Sequence, residues 1–320
     1  GKRADRHGIC GFTEPLPDAT GIGPVRSTSR KCKALWNILT QSGLKSNIVG
    51  WFATNPAEPI QGVMVTDQFL VSPEDKLAST VHPSDLAGPM AALRVTPNTL
   101  FVDDIEAFIP RLAELDLKTD DRPLKLARRL AKVASVQAVA TALIQSEPWD
   151  LMAVYYDGLD QFGHEFMSYH PPRMQWVSER DFELYQHVMA GCYRFHDMML
   201  HALLQYVDDQ TTVILVSDHG YECGHRRPHP DEAKRNPEGC HRSFGIACMT
   251  GPNIKENENL YGATILDVTP TILSLFGLPL GADMDGRPWL EVFRNQFKPE
   301  RIFGWEGVGD DKAGLHRSEI

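Results

Sequence analysis

The chain has 320 residues, 42% hydrophobic, enough apolar material to bury a sizeable core in one large domain or two small ones. A formal net charge of −10 with no Lys/Arg block argues against a nucleic-acid-binding surface, and no apolar run reaches the ~18 residues needed to cross a bilayer. Six cysteines form no CxxC pair, so they read as structural thiols, although Cys223 and Cys240 flank a histidine-rich loop.

In chain order, residues 31–41 place Leu35, Trp36, Ile38 and Leu39 on one stripe before Gly43, the pattern of a helix with its stop. Short β-branched or aromatic runs follow at 46–54, 62–66, 150–156, 211–217 and 244–249. Their nearly continuous apolar character suits strands covered on both faces by helices. Between the second and third runs, 67–120 turns Pro-rich and irregular but keeps apolar residues, so it reads as a cap or insertion on the sheet. Long helical patterns occupy 123–146 and 181–207. Near the end, Thr269 is expected to cap a helix with Pro270 at its first position and Gly277 at its stop. The alternation predicts an α/β domain around a mostly parallel sheet sandwiched by helices, spanning 1–320.

Histidine placement carries the first chemical signal. His219, His225, His229 and His241 fall within 23 residues, just after a strand run, where open α/β sheets place their ligands. In YYDGLDQFGHEF, Asp160 and His164 stand i and i+4, so one helical turn brings carboxylate and imidazole to one face. In VILVSDHGY, Asp218 and His219 end a strand, and Gly220 is expected to let the backbone turn. His241 precedes the last run and supplies an imidazole from a third loop. Nitrogen and carboxylate ligands of this kind suit Zn²⁺.

Asp160, Gly163, His164, the 217–220 segment and His241 together resemble the type I phosphodiesterase/nucleotide pyrophosphatase branch of the alkaline-phosphatase superfamily. GKRADRHGI, GWFATNPAEP, the Gly251–Pro252 pair and DVTPTILSLFGLPLGADMDGRPW extend the resemblance along nearly the whole chain. It implies an alkaline-phosphatase-like fold and a phosphoric ester hydrolase acting on a small-molecule phosphate ester or nucleotide. It also implies two divalent metal ions, usually zinc. Asp160, His164 and His241 match the ligands of one site, and Asp218 and His219 match two ligands of the other. Trp51, Phe52 and Asn55 stand where a leaving-group pocket would be lined, with core packing and a proline-set turn as the alternative. His225 is a candidate for reaching the phosphate, whereas His229 reads as solvent-facing. Asp157 either orients a ligand or simply ends its strand.

The family pattern also requires an Asp on a first strand and a Thr or Ser nucleophile opening the next helix. Both are expected ahead of Gly1, so the chain reads as a piece of a longer frame lacking a central strand. Thr13, Ser27, Thr28 and Ser29 lie in a loop downstream of the matching segment and are poor substitutes. Residues 301–320 do not read as a packed closing element, and the 320 residues alone are expected to fold poorly and hydrolyse little. The competing functions are a sulfatase, a phosphomonoesterase or phosphotransferase on the same scaffold, and an inactive binding module. No sulfatase-type C/S-x-P-S-R segment is present, and no GxGxxG follows a strand run, which disfavours a dinucleotide-binding domain.

Overall fold

Short β-branched runs give rise to a parallel sheet because helices bury them from both sides. The computed structural model describes residues 1–309 other than 17, 19 and 296. Helix α1 (Leu35–Gln41) leads into β1 (Ser46–Val49), followed by β2 (Gly62–Val65) and the two-residue β3 (Val81–His82). After α2 (Arg122–Ser146) comes β4 (Leu151–Val154), and the sheet order is β3-β2-β1-β4. Strand β1 is parallel to both neighbours, Ser46 lying opposite Gly62 on one side and Leu151 on the other, while β3 adds antiparallel to the β2 edge.

Alternation along β1 and β2 sorts the core. Ile48 and Met64 pack with Trp36 of α1, whereas Val49, Val63 and Val65 pack with Val136, Val139 and Leu143 of α2. Each such side chain, fully buried, contributes roughly 1.5–3 kcal/mol of transfer free energy. The irregular 67–120 segment is anchored in the same core through Phe69, Leu77, Val81 and Met90. The amino-terminal half of α2 packs through Leu126, Leu130 and Val133 against α3 (Gly158–Phe166), α4 (Glu179–Tyr185) and α5 (Val188–Leu204).

Further along the chain come β5 (Val213–Val216), β6 (Gly220–Tyr221), β7 (His241–Arg242), β8 (Ala247–Thr250) and α6 (Val268–Leu275). All five runs read as strands are strands, each shortened at one or both ends. Four expectations change. Strands β5 and β8 pair antiparallel with each other, Ala247 opposite Val216, and among the described residues do not join the parallel sheet. Their apolar run is accordingly not covered on both faces, and Leu215 is 40% exposed. The 181–207 pattern is two helices, separated at Gln186 and His187. Helix α6 begins at Val268, so Thr269 does not cap it. Asp267 instead caps back onto the Thr264 N–H at 2.8 Å, in a short turn that runs into the helix. Finally, part of the tail is packed: Arg301–Ile302 pairs with Leu280–Gly281, and Trp305 is buried beside Leu273 and Leu278. Residues 310–320 lie outside the described residues. No described helix is long and apolar enough to cross a membrane.

Candidate metal centre

Strand β4 delivers the first candidate ligands. Beyond its end, Asp157 stands at the amino terminus of α3, its carboxylate bound by Lys132 of α2. One turn into α3, Asp160 and His164 share a face as their spacing requires, with His164 Nε2 3.4 Å from Asp160 Oδ1. Strand β5 delivers the second pair, Asp218 and His219, directly before the β6–β7 hairpin. Gly220 is required there by close packing, not by a special turn: a Cβ would lie 2.8 Å from the Phe244 carbonyl oxygen. The β6–β7 pair delivers the last candidate ligand, since Tyr221 of β6 pairs with His241 of β7.

The three loops converge. His241 Nε2 lies 3.1 Å from Asp160 Oδ1 and 3.1 Å from His164 Nε2. His219 Nε2 lies 3.8 Å from the same Asp160 oxygen, and its ring stacks on His241 at 3.8 Å between centroids and 13° between planes. Asp218 Oδ1 is 3.9 Å from His219 Nε2 and accepts the His219 backbone N–H, with its side chain 63% exposed. Asp160, His164 and His241 thus stand within 3.4 Å of one another, and Asp160, His219 and His241 form a second group whose ligand atoms all lie within 4.8 Å. That grouping crosses the division made from sequence, which set His219 apart with Asp218.

A divalent ion fits this donor set. Atoms bound tetrahedrally to zinc at about 2.0–2.1 Å stand about 3.3 Å apart, close to the spacings here. Asp160 Oδ1 is buried without a hydrogen-bond donor, a costly state for a carboxylate that a cation would relieve. Burial pushes the Asp160 carboxyl up, but His164, His241 and His219 outweigh it and hold the group below its ordinary range. Burial, followed by the neighbouring His219, lowers His241. An ionised carboxylate beside a neutral imidazole is the protonation state that metal ligands need. Calcium, which takes 6–8 oxygen ligands, suits the site poorly.

The other candidates make none of these contacts. Trp51 is 36% exposed and packs edge-on to Trp36 at 6.4 Å. Asn55 has a buried, unpartnered Oδ1 and so belongs to the segment's packing as much as to any pocket. His225 is exposed in the short turn Gly224–Arg226, and none of the contacts that knit the cluster involves it. His229 meets Trp176 edge-on at 5.3 Å and takes no part in those contacts.

Three residues were missed from sequence. Tyr155, at the end of β4, lies 5.7 Å from Trp51, and its phenol is pushed up to about 12 by burial and then by Asp218, Asp157 and Asp160. Tyr221 lies against the imidazoles, its ring 5.4 Å from His164 and 5.2 Å from His241; it closes a two-residue strand just past the expected strand end, and nothing in the sequence marks it. Arg227 is buried and donates to the carbonyls of Met167, Ser168, His170 and Pro172 just beyond α3, and to Gly224 at 2.8 Å. Nothing in its sequence context marks it.

Residues 1–249 match the family model of type I phosphodiesterases/nucleotide pyrophosphatases. The match stops short of the 267–289 segment that also resembled the family. Neither the search of curated proteins nor that of solved structures returned a match. With the family model covering well over half of its length, the candidate ligand residues included, the chain belongs to the type I phosphodiesterase/nucleotide pyrophosphatase family of the alkaline-phosphatase superfamily.

Proposed function

We propose that this protein is a metal-dependent phosphoric ester hydrolase of the phosphodiesterase/pyrophosphatase type, holding two divalent ions, most simply zinc. The observation that carries the reading is the Oδ1 atom of Asp160, buried without a donor and facing three imidazoles in a chain of this family. Asp160, His164 and His241 would hold one ion, and Asp218 and His219 would contribute to the other. When bound, such ions polarise a phosphoryl group and make a coordinated hydroxyl nucleophilic near neutral pH. The chain's own residues do the rest. His219 and His241, stacked face to face, fix each other's ring planes, and Asp160 stays ionised between them. Trp51 and Tyr155 form an aromatic edge for a planar leaving group such as a nucleobase. No residue of 1–320 is assigned as the nucleophile. We also read 1–320 as one catalytic domain, with 67–120 as a cap on the sheet.

Product binding tests the substrate class without relying on turnover. Calorimetry of the zinc-loaded chain with a nucleoside 5′-monophosphate, inorganic phosphate and sulfate should show binding strongest for the nucleotide and abolished by EDTA. Preference for sulfate would favour the sulfatase reading. Equal binding of nucleotide and phosphate would favour a monoesterase, and zinc uptake without any anion binding would favour an inactive module.

A further inference from the structure

We infer that Tyr221 is the positioning residue that joins the two halves of the metal cluster, by filling a socket that Gly163 leaves open. The inference rests on the metal-binding reading above. Asp160 and His164 arrive on α3, while His219 and His241 arrive on the strand side, and something has to set the distance between these two bodies. Tyr221 touches both. On the strand side it faces His241 across the β6–β7 ladder, with ring centroids 5.2 Å apart, and follows His219 at 6.4 Å. On the helix side its ring meets His164 edge-on at 5.4 Å, and its hydroxyl donates to the Asp160 carbonyl at 3.2 Å. The fit is close: a Cβ on Gly163 would lie 2.6 Å from two carbons of the Tyr221 ring. The glycine one residue before His164 therefore lets the helix lie directly on the tyrosine.

This contact differs from ordinary core packing in where its consequences fall. Tyr221 is only partly buried and contributes less to the core than Phe162 or Phe166 of the same helix, which are fully buried. Its ring edges three ligand imidazoles, and its hydroxyl holds the backbone of the fourth ligand. Removing it leaves α3 attached through Phe162 and Phe166 but frees the ligand atoms to separate.

The test uses Co²⁺ as a spectroscopic probe on the full chain, with affinity from chelator competition and thermal unfolding in EDTA as a fold control. Outer partners of metal ligands typically affect affinity by about 10–100-fold, and Tyr221→Ala should fall in that range with an altered d–d spectrum. Tyr221→Phe keeps the ring, so it should retain the wild-type spectrum with an affinity loss of less than about tenfold. Gly163→Ala should weaken Co²⁺ binding by itself but cost nothing further in the Tyr221→Ala background, where the socket is empty. Wild-type affinity and spectrum in Tyr221→Ala, or an equal Gly163→Ala effect in both backgrounds, would overturn the inference while leaving the metal site intact. Failure of the wild-type chain to take up Co²⁺ would overturn the metal reading, and this inference with it.

Discussion

Asp160 shows how much one side chain can decide. Its Oδ1 lies 3.1, 3.4 and 3.8 Å from the Nε2 atoms of His241, His164 and His219, yet no donor satisfies it. A divalent ion bound there would stabilise the folded chain by linkage, about 2.7 kcal/mol at a free concentration 100 times Kd. Asp160→Asn preserves the shape and removes the charge, so it should leave the melting temperature in EDTA within a few degrees of wild type and abolish the rise that zinc produces. A zinc-induced rise as large as that of wild type would remove Asp160 from the ligand set. At this scale the sequence was legible wherever spacing has a geometric meaning. Asp160 and His164 follow from one helical turn. Asp218 with His219 follow from a strand end. Tyr221 follows an expected turn and carries no metal-binding chemistry, so nothing singled it out. Arg227 was not legible at all, because the carbonyls it gathers come from a loop some sixty residues earlier.

Elements were read correctly in kind and incorrectly at their joints. The strand runs and the α2 pattern fix their own period, but the break between α4 and α5 has no proline or glycine to announce it. There Leu184 and Tyr185 turn into the same core as Val188 and Met189, and the Tyr185 hydroxyl donates to Asp120 at 2.7 Å. Arg122, at the start of α2, completes this junction. It bonds Asp120 at 2.6 Å and Asp181 at 2.7 Å, and lies over the Tyr185 ring at 4.2 Å. The Arg122 guanidinium, aided by the Tyr185 hydroxyl, holds the Asp120 carboxyl at about 2, below its ordinary 3.8. The unfolded chain therefore binds the proton more readily than the folded one. The stabilisation is complete above about 4 and is lost as pH falls through 3.8 towards about 2. Allowing for solvent around this partly exposed pair, it amounts to about 1 kcal/mol. Urea unfolding at pH 5 and near pH 2.5 should show a steeper acid loss for wild type than for Asp120→Asn, by about that amount. Parallel losses would mean that the junction contributes no charge-dependent stability.

Taken as a whole, the molecule carries its candidate metal ligands between two strand systems that do not hydrogen-bond to each other among the described residues. The β3-β2-β1-β4 sheet ends at β4, and the β5–β8 pair ends at β5. Because Asp160 follows β4 and His219 follows β5, and the two side chains meet, both strands run with their carboxyl ends towards the same rim. Burial confirms the difference from the sheet centre: β1 is buried at every position, β4 at none, and Leu215 of β5 is 40% exposed. Phe244 and Ile246 beside it are 81% and 57% exposed, and Met198 of α5 is 62% exposed. Composition could not reveal this, since an apolar run reads the same whether or not its second face is covered. Strand edges with unpaired N–H and C=O groups beside exposed apolar side chains are templates for pairing with another chain. The 320-residue chain should accordingly self-associate as its concentration rises, observed as a growing weight-average mass in light scattering and sedimentation velocity. Leu215→Lys and Ile246→Lys place charges on this surface, as natural edge strands do, and should shift the association to higher concentration while leaving zinc uptake at the rim unchanged. A wild-type chain that stays monomeric across the accessible range would show that these edges and the apolar surface beside them are not available for pairing.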